Sequence, residues 1–337
     1  RHPPCPAYGD TSAPPETISS GPVAASERLG AADPDVTRQT VDVPNARSVE
    51  GLLPWILRLV WVAVLVFGGN AIAQATTTSG PVVASVATWG AAGAWLIGVA
   101  AMAIPAVVSL TATRAVVPLS VPIAVVAWLA GADAVDGALL LGVAMLSTVL
   151  AFSSDIGRGF VQASAYGDED RHLLRPPAAY TLAVLVSWSV CAAAAISGPL
   201  LLGAHSWVLG VVLTTFAGSA AVWAWPRWHR LSNRWFVVVP IGLVIHDPLV
   251  LAETVMLRRQ EIATVRLAPV DTEAADLTGP AAGHAIEIAT TEPVTVIFAA
   301  TPREPRGKAI HLTACLVSPT RPGRALAAVG RRRLPVG

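Results

Sequence analysis

The chain has 337 residues, 53% of them hydrophobic and only 13% charged, with a mean hydropathy of +0.58. Soluble domains carry about 25% charged residues, so an ordinary soluble enzyme and a disordered protein are both excluded. The net charge of +1 excludes a strongly basic nucleic-acid binder, and three dispersed cysteines exclude a disulfide-stapled secreted scaffold, leaving a multi-span membrane protein.

Residues 1–50 contain eight Pro, seven acidic and four basic residues and almost no apolar periodicity. Such a segment cannot bury enough apolar surface to offset chain entropy, which predicts a disordered, Pro-rich tail. No basic-then-apolar signal peptide precedes a cleavage site. The first residue is Arg, which reads as a truncated start.

The charges that are missing are missing in blocks. From Leu59 to Thr113 there is no Asp, Glu, Lys, Arg or His, and from Pro176 to Pro226 the ionisable side chains are Tyr180, Cys191 and His205. A bilayer span needs about 20 apolar residues. The pattern predicts six helices, near 52–74, 82–110, 115–131, 134–153, 178–198 and 200–225. The third is short and contains Pro118 and Pro122, which membrane helices tolerate when neighbours re-satisfy the freed carbonyls.

Orientation follows from the arginines. Arg114 is read as following helix 2; Arg158, Arg171 and Arg175 follow helix 4, and Arg227, Arg230 and Arg234 follow helix 6. The loops after helices 1, 3 and 5 have no basic residue. By the positive-inside rule the basic side is cytoplasmic, which puts both termini inside the cell's inner (plasma) membrane. Trp55, Trp223, Trp225 and Trp228 fit an inner aromatic belt, Trp128 and Trp207 an outer one.

The densest polar cluster of the membrane part is 155–177. Asp168 and Asp170 have the carboxylate oxygens to hold a divalent cation, and Arg158, Arg171 and Arg175 suit a lipid phosphate. The plainer reading, preferred here, is a solvated loop whose arginines enforce topology. Asp133 and Asp136 read as caps of helix 4 rather than the start of an ion path, and His205 as an interfacial side chain beside Trp207. Asn70 and Gln74 either bond across helices or simply sit in the interface, the second being preferred. Arg58 suits snorkelling to the headgroups. No ionisable group is expected at the bilayer midplane and no internal repeat is evident, both of which argue against ion-coupled transport. Small residues recur at four-residue spacing (Gly90, Ala94, Gly98; Ala183, Ser187, Cys191, Ala195; Gly210, Thr214, Gly218) and read as packing seams.

Residues 227–337 have ordinary polarity. Seven short runs, 235–239, 242–246, 252–257, 262–267, 285–290, 294–299 and 309–317, alternate and are separated by turn chemistry such as Asp247-Pro248, Gly279-Pro280 and Glu292-Pro293. Thr320 can N-cap a terminal helix with Pro322 in its first turn, ending near Arg331, Arg332 and Arg333, whose charges suit its dipole and could touch anionic lipid. The fold class is therefore an α-helical bundle of six transmembrane helices plus a mostly-β C-terminal domain with one terminal helix, divided as 1–50, 51–226 and 227–337. About seven strands closed by a helix resembles the bacterial pleckstrin-homology-like domain. No metal site, cofactor motif or catalytic signature is found; His246-Asp247 and His284 read as turn or structural residues, and Cys191 and Cys315 as inert.

Three stretches, Ser164-Ala165-Tyr166-Gly167-Asp168-Glu169-Asp170-Arg171 continuing through Leu174-Arg175-Pro176-Pro177, His246-Asp247-Pro248-Leu249-Val250-Leu251, and Ser318-Pro319-Thr320-Arg321-Pro322-Gly323, resemble a family of uncharacterised actinobacterial multi-pass membrane proteins over roughly 50–335. The resemblance implies the same architecture and adds no catalytic residue. Arg is used for all but one of the 23 basic residues, the exception being Lys308, as in a high-GC genome. The expected role is a non-enzymatic membrane scaffold presenting a cytoplasmic pleckstrin-homology-like domain to membrane lipids, a protein partner or a second copy. The alternatives are transport of a lipid or small hydrophobic solute, and an enzyme acting on a phosphorylated lipid through 154–177.

Overall fold

The computed structural model describes residues 46–300 and 307–337. The tail expected over 1–50 falls on positions outside these as far as 45. Six helices are long and apolar enough to cross a membrane among the described residues. The first is Gly51–Ala75 of α1 (Ala46–Ala75) and the second is α2 (Pro81–Ala103).

The second helix stops at Ala103, seven residues short of the expected 110. Ile104 is extended, with φ −110° and ψ 98°, the conformation that the ring of Pro105 favours in the residue before it. A new helix, α3 (Val107–Val116), passes through a 3-10 turn at Val117–Leu119 into α4 (Ser120–Leu129), and together they make the third span. Pro118 lies in the 3-10 turn and Pro122 in the first turn of α4, where a missing N–H costs little. Arg114 is thus inside the third span, not in a loop, about 10 Å from its start at 1.5 Å per residue.

The fourth span, α5 (Ala134–Phe152), is N-capped by Asp133, whose carboxylate accepts from the Val135 N–H at 3.0 Å. Gln74 does bond across helices. Its Nε2 donates to Asp136 at 2.6 Å and its Oε1 accepts from the Asp133 N–H at 2.7 Å, tying the end of α1 to the start of α5. Next come the amphipathic α6 (Ser154–Gln162) and a four-residue strand, β1 (Asp170–Leu173). The fifth span, α7 (Ala178–Gly203), continues through Pro199. The chain turns at Ala204–Ser206, where His205 takes φ +62° and packs edge-on to Trp207. The sixth, α8 (Trp207–Ser232), carries on past Pro226.

Small residues set how closely the helices approach. A Cβ at Gly198 would lie 2.7 Å from the backbone nitrogen of Thr214, and one at Gly98 would lie 2.6 Å from the Trp61 ring. Gly90 and Gly218 have nothing within 4 Å, so the expected seams are packed at some positions and open at others.

Two four-stranded sheets follow. The first has the order β1-β2-β3-β4, with β2 (Trp235–Val239), β3 (Gly242–His246) and β4 (Val255–Arg258) antiparallel. The second has the order β5-β7-β8-β6, with β5 (Ile262–Leu267), β6 (Ala275–Asp276), β7 (Ile286–Phe298) and β8 (Lys308–Val317), where β6 runs parallel to β8. The runs expected at 285–290 and 294–299 are a single strand, β7, with an irregularity between Ala289 and Val294. Pro293 sits there, at the one kind of place inside a sheet that tolerates it. The last helix, α9 (Pro322–Arg331), begins one residue later than expected, with Arg321 as N-cap and Pro322 at N1. Its apolar face (Ala325, Ala328, Val329) is fully buried with Phe236, Leu243, Ile245, Ile286 and Ile288.

The β domain is not made of 227–337 alone. β1 comes from between spans four and five and forms the edge of the first sheet, pairing Asp170 with Val238 through Leu173 with Trp235. The segment after it is sewn on both sides. The Leu174 N–H donates to Arg234 O at 3.1 Å and the Arg175 N–H to Ser318 O at 2.7 Å, while the Thr320 N–H donates to Leu173 O at 2.8 Å.

Candidate functional site

The polar segment 154–175 and the basic helix α9 meet where the β domain joins the helices. Asp155 lies in the first turn of α6, where an acidic group suits the helix dipole. It accepts from Arg321 Nη2 at 2.9 Å and from Arg324 Nη1 at 3.0 Å, and Ser154 Oγ takes Arg321 Nε at 2.8 Å. Asp170, on β1, accepts from Arg331 at 2.9 Å and lies 3.6 Å from Arg158. Asp168 is gripped by both terminal nitrogens of Arg332, and that grip holds its carboxyl below the usual carboxylate range. Three carboxylates of the membrane part therefore face four arginines of α9 and its flanks.

Five of the eight residues singled out from sequence come together here: Arg158, Asp168, Asp170, Arg331 and Arg332. The other three do not. Arg171 pairs with Glu169 at 2.8 Å and lies over the Trp235 ring. Arg175 donates to the carbonyls of Ala282 and His284. Arg333 has a positive φ of 54°, and its carbonyl accepts from Arg259. Asp155, Arg321 and Arg324 are the members that sequence reasoning missed. Asp155 stood in the polar segment, and the i, i+3 spacing of Arg321 and Arg324 is the one signal that they share a helix face.

His172 sits behind these pairs. It is 3% exposed, and its Nε2 has no hydrogen-bond partner among the described residues. Burial first, then the positive charges of Arg158, Arg331 and Arg324 acting against Asp170, lower its pKa to about 4. The imidazole is neutral at physiological pH. Deeper still, Arg234 and Asp247 form a buried pair, 1% and 0% exposed. Cys315 is buried in β8, where desolvation pushes its thiol up to about 12, so it carries no nucleophilic thiolate.

A second set of arginines at the same end of the bundle has no carboxylate partner among the described residues. Arg58 donates to Met102 O at 2.9 Å and lies over Trp55. Arg227 donates to Trp223 O at 2.5 Å and lies over the Trp223 ring. Arg114 lies over Phe152, with Ala151 O at 3.5 Å. Nearby, the side chains of Thr111 and His229 are 2.9 Å apart, joining α3 to α8.

At the opposite end, α1, α2, α4 and α7 enclose an apolar crevice of about 300 Å³ that adjoins a smaller one of about 130 Å³. No group of three or more His, Cys, Asp or Glu placed to hold a metal ion occurs among the described residues. Comparison with family models, curated proteins and solved structures gives no match.

Proposed function

We propose that the protein is a non-enzymatic membrane platform. Six helices hold a cytoplasmic, pleckstrin-homology-like β domain rigidly at the inner leaflet, where the bundle engages anionic lipid headgroups and the domain offers its outer surface to a partner. One observation carries this reading: the arginines divide into two sets. Those facing the domain interface (Arg321, Arg324, Arg331, Arg332) are matched with Asp155, Asp168 and Asp170. Those at the rim of the bundle (Arg58, Arg227) rest on aromatic rings and carbonyls. A guanidinium beside an aromatic ring at headgroup depth is well placed to take a phosphate oxygen. The pairing of Asp168 and Asp170 with arginines also speaks against their use as cation ligands.

The test is thermal unfolding of the full chain in phosphatidylcholine vesicles with and without phosphatidylglycerol. Anionic lipid is expected to raise the midpoint by several degrees, with the gain shrinking in Arg58→Gln and Arg227→Gln and surviving in Arg331→Gln. Equal midpoints in the two lipids would remove the headgroup reading.

A further inference from the structure

The apolar crevice lies at the end of the bundle away from the β domain and shares no lining residue with the arginines proposed to meet headgroups. Its walls are α1, α2, α4 and α7, with Ile72, Gly90, Ala91, Ile123, Ala195 and Pro199 among them. No ionisable side chain lines it, and the polar atoms at its distal rim are the hydroxyls of Thr76 and Ser79. Five residues, including Ile72, Ala91 and Leu119, also line the smaller cavity, so the two form one slot. Trp61 and Trp95 wall the inner part of that slot. Each indole N–H donates to the other's backbone carbonyl, at 3.1 and 2.8 Å, which leaves ring carbon to face the slot.

The dimensions choose the occupant. Along α2 the lining runs from Val83 to Ala94, about 16 Å at 1.5 Å per residue. That is roughly half of the ~30 Å hydrocarbon layer, the depth of one leaflet. A helix about 10 Å wide cannot enter between α1 and α2, which the Trp61–Trp95 hydrogen bonds tie together at the inner end of the slot. A single hydrocarbon chain fits where a partner helix does not. Gly90 and Gly69 leave open space where a Cβ would be, so the room is made by small residues on two facing helices.

We infer that this slot binds one acyl chain of a phospholipid from the leaflet distal to the β domain, with the ester region at Thr76 and Ser79 and the chain end near Trp61 and Trp95. The experiment uses the full chain extracted in mild detergent, exchanged into palmitoyl-oleoyl phosphatidylcholine and read by native mass spectrometry. The wild type is expected to retain one phospholipid after delipidating washes. Gly90→Leu combined with Ala195→Leu is expected to lower that retention about tenfold or more, while Gly218→Leu, in open space on α8 away from the slot, leaves it unchanged. Thermal midpoints show whether each protein is folded, and the milder Ala91→Val should give partial loss if the double variant unfolds. Equal retention in wild type and every folded slot variant would overturn the assignment, as would equal loss in Gly218→Leu.

Discussion

Arg234 at the start of β2 donates through Nε and Nη2 to both carboxylate oxygens of Asp247 at the end of β3, at 2.7 and 2.5 Å. The remaining guanidinium bonds reach Arg175 O at 2.7 Å and Thr278 O at 3.3 Å, and Asp247 also takes the Leu249 N–H at 3.1 Å. One buried pair therefore fastens four separate segments. Removing one partner leaves an uncompensated charge out of water. Asp247→Ala is expected to cost about 3–5 kcal/mol, while replacing both residues with apolar ones of similar volume recovers much of that loss. Thermal unfolding of the full chain measures both.

The pairs on α9 differ in weight. Asp168 is 73% exposed, so its link to Arg332 contributes little and fades in salt. Asp155 is 14% exposed and takes two arginines, and Asp155→Asn is expected to cost about 1–3 kcal/mol. Hydrogen exchange should show α9 opening faster in Asp155→Asn than in Asp168→Asn. Equal rates would show that the two sites do not differ.

Acid should loosen the same junction through His172. Its folded pKa of about 4 lies below the unfolded value of about 6.5. The folded state thus binds fewer protons, and its stability is complete above about pH 6.5. As pH falls from there toward 4, up to about 3 kcal/mol is lost. A His172→Leu variant should show a flatter melting profile across that window, and a profile as steep as the wild type's would assign the loss to other groups.

The α7–α8 hairpin depends on Gly198. Adding a Cβ there drives it into the backbone of Thr214, a clash of about 1–3 kcal/mol that exceeds the gain of about 1 kcal/mol from replacing a helical glycine. Gly198→Ala should therefore lower the melting midpoint. Gly218→Ala, in open space on α8, should leave it unchanged or raise it.

The six spans are legible in the sequence because charge is absent from them and present around them. The break between spans two and three is not, because Thr111 and Thr113 pass as apolar-compatible and Arg114 reads as a loop marker. Pro105 was the signal that placed it. β1 is hidden for a different reason. Only His172 and Leu173 of its four residues are buried, so Asp170-Arg171-His172-Leu173 has the composition of a solvated loop. The acidic and basic members of the junction are each visible as residues, but 164 positions separate Asp168 from Arg332, and nothing in either segment names the other. Gln74 shows the same limit, since a polar side chain near a helix end says nothing of whether it is bonded across helices.

The placement of β1 has a consequence for biogenesis. This strand leaves the ribosome before α7 and α8, and its partner β2 emerges after them, so the first sheet cannot close until both helices have been made. The pairing of Asp170–Leu173 with β2 then requires both strands to lie on the same side of the membrane. A chain in which only one helix of that hairpin crosses leaves the two halves of the sheet on opposite sides of the membrane. It exposes an unpaired edge, the kind of surface that quality-control proteases and chaperones detect. Closure of the first sheet in this way depends on the chain returning to the side of the membrane on which β1 lies.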